Sequence, residues 1–111
     1  MLERTIVMHN NYYTVNLDEL CPVARLVIKL FLKGRYFSAL RLLEKKIEHE
    51  ENFNAVNILK LMSALIQIML RDYETAIVLL EEITDIIEPE RAKEICHRAL
   101  QICSNKMLNK E

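Results

Sequence analysis

Cys96, His97 and Cys103 are the residues of this chain whose types and spacing come nearest to a metal site. Zinc takes four ligands at tetrahedral geometry, usually supplied as two close pairs. No C-x-x-C and no second pair occur here, and Cys96 and Cys103 fall on the apolar stripe of a helical pattern. Buried thiols and no metal are therefore expected. Other chemistry is no better served. His9 and His49 have no nucleophile or acid placed beside them by a recognisable motif, and the lone Gly34 excludes a glycine-rich phosphate loop. Glu81 and Glu82 are adjacent, and neighbouring helical residues do not face each other. The expectation is a protein that is not an enzyme and has no cofactor.

Charge is segregated along the chain. Arg25, Lys29 and Lys33 recur every four residues, and Arg35, Arg41, Lys45 and Lys46 continue the basic run with Glu44 as its only acid. Asp72, Glu74, Glu81, Glu82, Asp85, Glu88 and Glu90 then follow with no base between them. Solvated helix faces account for most charge runs, but such a separation of sign would orient a polar partner or a head-to-tail neighbour. A formal net charge of −1 argues against a strongly basic nucleic-acid binder. The aromatics near the basic stripe, Phe31, Tyr36 and Phe37, take core register, so no nucleic acid is expected.

The elements that must carry these residues are helices. The 111 residues suffice for one domain, 51% are apolar, and one glycine and two prolines leave few breaks. Residues 1–17, with Thr5-Ile6-Val7-Met8 and Tyr12-Tyr13-Thr14-Val15, read as an extended N-terminal arm. Residues 18–105 read as a single helical domain and 106–111 as a frayed polar tail. The first helix begins near Asp18 or at Pro22, and Gly34 ends it. Four more are expected over about 36–48, 54–70, 73–87 and from Pro89 onward. The most apolar window, Ile58 to Leu70, is too short to span a bilayer and holds Lys60 and Gln67. An odd count of three cysteines and no visible signal peptide suit a reduced, cytoplasmic setting.

Within this pattern Gly34-Arg35-Tyr36-Phe37-Ser38-Ala39-Leu40-Arg41-Leu42-Leu43-Glu44 recurs as Arg71-Asp72-Tyr73-Glu74-Thr75-Ala76-Ile77-Val78-Leu79-Leu80-Glu81. The block resembles the tetratricopeptide (TPR) repeat, a helical hairpin written G-x-Y with alanine three residues after the tyrosine and a large apolar residue four further on. Gly34, Tyr36, Ala39 and Leu43 fit one copy; Tyr73, Ala76 and Leu80 fit the other, with Arg71 in the glycine position. Ala64 takes the small-residue place in the first helix of the second copy, and the bulkier Val27 takes it in the first. The period of 37 exceeds the family's usual value of about 34, and the tryptophan-leucine-glycine signature is missing. The resemblance implies an all-α fold of about five helices in antiparallel hairpins.

It also implies a concave groove lined by the first helix of each repeat. By that register the groove residues are Ala24, Ile28, Phe31 and Leu32, then Ile58, Leu61, Leu65, Ile68 and Met69. None is charged. Such a lining suits an amphipathic helix of another protein rather than a peptide carboxylate, although the same residues could instead be core. Small TPR-like chaperones of type III secretion needle subunits are similar in length and in having an apolar groove. The function implied is a chaperone or assembly subunit in a hetero-oligomer, with a homodimer or a permanent structural subunit as alternatives, and without membrane insertion.

Overall fold

The computed structural model describes residues 5–7 and 14–109, with side chains from Pro22 onward. Thr5–Val7 (β1) and Thr14–Asn16 (β2) pair antiparallel, Ile6 opposite Val15. The remainder of the arm expected over 1–17 lies outside the described residues. Five helices follow: α1 (Leu17–Leu32), α2 (Tyr36–His49), α3 (Phe53–Met69), α4 (Tyr73–Ile83) and α5 (Glu90–Leu108). The domain is all-α, as the scarcity of breakers required.

Two turns that match in sequence also match in backbone. At the end of α1 the Gly34 N–H donates to Phe31 O (2.9 Å) and the Arg35 N–H to Leu30 O (2.8 Å). At the end of α3 the Arg71 N–H donates to Ile68 O and the Asp72 N–H to Gln67 O, both at 2.9 Å. Each is a Schellman closure, which requires a left-handed residue just past the helix. Gly34 adopts it at φ 76° and Arg71 at φ 66°. The two copies therefore share one turn geometry, and in the second a side chain bears the strain that glycine avoids in the first. Asp72 then caps α4, accepting from the Thr75 N–H (3.2 Å) and from Thr75 Oγ1 (2.8 Å).

Helix α3 is apolar on more than one side and is buried accordingly. Ala55, Leu59 and Ile66 join Val27 of α1 and Ala39, Leu40 and Leu43 of α2 in one core cluster. Leu61 and Ala64 join Ala76, Leu80 and Ile83 of α4 and Ala92, Cys96, Ala99 and Cys103 of α5 in a second. Ala39, Ala64 and Ala76 are fully enclosed, so a methyl side chain is what lets each helix pair close. Tyr36 stacks tilted against Phe31 with ring centroids 5.3 Å apart, filling the space beneath the first turn.

Two boundaries differ from the sequence reading. The fourth helix stops at Ile83, and the apolar run continues as a turn that still buries Ile87. Asn54 holds that turn: its Nδ2 donates to Glu88 O and its Oδ1 accepts from the Glu88 N–H, each at 2.9 Å. The fifth helix continues to Leu108, into the residues expected to fray, and Met107 on its last turns is half-buried.

The paired turns respond oppositely to substitution. A Cβ at Gly34 meets nothing within 4 Å, so Gly34→Ala carries only the backbone cost and lowers stability by about 1 kcal/mol. Arg71→Gly relieves the same strain and raises stability by about 0.5–1 kcal/mol. Urea denaturation of both variants checks this, and a fall in stability for Arg71→Gly would show that its turn is not left-handed.

Candidate partner-binding groove

The odd-numbered helices line one open groove. Phe31 comes from the last turn of α1, Leu65, Ile68 and Met69 from α3, and Arg91, Glu94, Ile95, Arg98, Ala99 and Ile102 from α5. The α5 residues fall at i, i+3, i+4, i+7, i+8 and i+11, so they form a single stripe. Leu65 (38%), Met69 (50%), Ile95 (40%) and Ile102 (42%) keep much of their surface open to solvent. Together they form an exposed apolar row on one face of a small domain.

Register on α3 explains why the groove is there. Leu59 and Ile66 point into one cluster and Leu61 and Ala64 into the other. Leu65 and Met69 occupy the arc between those two directions, where neither hairpin reaches. The opposite arc holds Lys60, Ser63 and Gln67. Lys60 Nζ contacts Glu82 Oε1 at 3.2 Å, tying that arc to α4. Ser63 on that arc is buried, at 5% exposure.

The nine groove positions read from the sequence do not all meet. Phe31, Leu65, Ile68 and Met69 lie together in the groove. Ala24 and Ile28 share the face of Phe31 by helical spacing but sit further along α1, half-buried and exposed respectively. Leu32 is exposed one residue round from Phe31. Leu61 is not a groove residue: at 6% exposure it belongs to the second core cluster, because α4 packs over its side of α3. Ile58 is half-buried against the same cluster. The α5 wall was missed altogether, since that helix carries no copy of the repeat block that would align it. Its only sequence signal was the stripe itself.

That wall also corrects the expectation of an uncharged lining. Arg91 and Arg98 stand seven residues apart along it with Glu94 between them. Among described residues the ion pairs are Lys46–Glu50 (3.1 Å) and Lys60–Glu82 (3.2 Å), so neither arginine is engaged by a described carboxylate.

A smaller hollow between α1 and α2 has Leu26, Leu30 and Leu42 at its base under Arg41, Glu44, Lys45 and Glu48. It is the seam of a single hairpin. Among the described residues no group of three or more His, Cys, Asp or Glu side chains is gathered to hold a metal. No described helix is long and apolar enough to cross a membrane. No family model matches the chain, and neither a curated protein nor a solved structure does.

Cys96 and Cys103 are fully buried in the second cluster, and burial pushes both thiols above their ordinary value. The neutral form is favoured in the folded state, so their contribution is present below the unfolded thiol value of about 9 and declines as pH rises beyond it. Native protein at neutral pH should label slowly with a thiol reagent at both positions, and denatured protein rapidly, as mass spectrometry of the peptides would report. Rapid native labelling of either would place that thiol outside the core.

Proposed function

We propose that this chain is a non-enzymatic interaction module that holds an amphipathic helix of another protein between α1, α3 and α5, as a small chaperone or assembly subunit. The observation that carries this reading is the row of half-exposed apolar side chains, Leu65, Met69, Ile95 and Ile102, set in a groove between enclosed cores. A helix presenting apolar residues at i, i+3, i+4 and i+7 matches a trough of this shape. Methionine and isoleucine make its lining adaptable, and Met69 in particular can follow an irregular partner surface.

Helix-hairpin repeats of the TPR type are the narrower form of the proposal. Support for it lies in the shared Schellman turns at Gly34 and Arg71, the enclosed Ala39 and Ala76, and a groove built from the first helix of each pair. The fifth helix would then be the first helix of an incomplete third unit, completing the groove. A chaperone of secretion-needle type is narrower still and rests on the sequence resemblance alone.

Leu65→Asp separates this reading from one in which the same residues are core. A carboxylate there remains in contact with water in the free protein but would be desolvated under a bound helix, at a cost of several kcal/mol. The variant should keep the parent's circular dichroism while its affinity for a partner helix falls by orders of magnitude, about tenfold for each 1.4 kcal/mol. Collapse of the helical signal in the free variant would sink the groove reading.

A further inference from the structure

The groove is apolar along its floor, and its α5 edge carries Arg91, Glu94 and Arg98, a net positive charge in a chain whose formal net charge is −1. On α5 the guanidinium groups of Arg91 and Arg98 bracket Ile95. Their aliphatic stems can lie along the apolar wall while the charged heads reach the rim. On α1 the groove is lined by Phe31 alone, which carries no charge, so the charged groups of the lining all come from α5. The acids Asp72, Glu74, Glu81, Glu82 and Asp85 are exposed on and around α4, which contributes nothing to the groove lining. The sign of the field thus differs between the groove and the α4 side.

Resting on the groove reading above, we infer that the occupant is a helix of another protein with acidic residues flanking its apolar face. Such a helix would set its apolar side chains against Leu65, Met69, Ile95 and Ile102 and its carboxylates against Arg91 and Arg98, whose planar forks match carboxylates in two-bond geometry. The α4 acids would repel it from the far side and the α5 arginines would draw it to the groove, which speeds encounter and fixes orientation. The acidic α4 face of a second copy is a poor occupant, since α4 exposes only Val78 among its large apolar side chains and encloses Ala76, Leu80 and Ile83.

Two synthetic peptides of about 18 residues test this, each with the same leucine face at helical spacing, one flanked by glutamates and the other by lysines. Fluorescence anisotropy against the full chain should give the glutamate peptide an affinity about tenfold or more above the lysine peptide at about 0.1 M salt. The gap should close at about 1 M salt, where the screening length falls from about 10 Å to about 3 Å. The double variant Arg91→Gln, Arg98→Gln should narrow the gap at low salt while keeping its helix content, since both side chains are exposed. Leu65→Asp should weaken both peptides. Equal affinities that remain sensitive to Leu65→Asp would overturn the charge inference and leave the groove reading standing. Failure of both peptides to bind would remove both. Binding to phosphatidylglycerol vesicles that depends on Arg91 and Arg98, with no binding of the glutamate peptide, would overturn it in favour of a lipid surface.

Discussion

Helix α3 must hide apolar side chains in two directions at once, and the rest of the molecule is arranged around that demand. Leu59 and Ile66 leave it on one side, Leu61 and Ala64 on another. No single neighbour can cover both. One hairpin, α1 with α2, covers the first side, and α4 with α5 covers the second. Alanine at 39, 64 and 76 sets how near the neighbours come, since a larger side chain there would hold the backbones apart and open voids around Leu43 and Leu80. With two arcs of α3 covered, a third arc carrying Leu65 and Met69 is left between the flanking elements. The groove is the geometric remainder of that packing.

The same constraint explains what could be read from residue order. The recurring tyrosine-alanine-leucine block is local, so it specified a hairpin wherever it occurred. Both copies end their preceding helix with the same Schellman closure, although one has arginine where the other has glycine. Arg71 takes the left-handed turn against its own preference, closed by the same pair of backbone hydrogen bonds as at Gly34. The groove was half legible. Phe31, Leu65, Ile68 and Met69 follow from helical spacing on the two helices that precede the repeated blocks. Leu61 shares that pattern but lies under α4, and spacing on one helix cannot say which neighbour arrives on which side. The α5 wall depends on where that helix is placed, and part of this is fixed by Asn54 gripping the backbone of Glu88, 34 residues away. A pairing of that separation leaves no periodic trace.

Electrostatics adds direction to a site that packing alone would leave unspecific. Apolar troughs accept many helices, because burial is roughly proportional to area and indifferent to sequence. Arg91 and Arg98 on the α5 wall, with Glu94 between them, would restrict that choice by their net positive sign. Solvent-exposed charges of this kind contribute more to partner choice and encounter rate than to affinity. In the proposed docking the α3 floor would supply binding energy, and the charged wall of α5 would choose what is bound.

A helix can dock in the groove only if the α1–α3–α5 face is open in the free protein. Photochemical diazirine labelling of the chain alone, read out by residue with mass spectrometry, addresses it without any partner. Leu65, Met69, Ile95 and Ile102 should label strongly, while Leu59, Leu61, Leu80 and Ile83, enclosed in the two clusters, should remain almost unmodified. If the four groove residues are as protected as the enclosed ones, the face is already filled in the free protein, and the account of an open docking groove is contradicted.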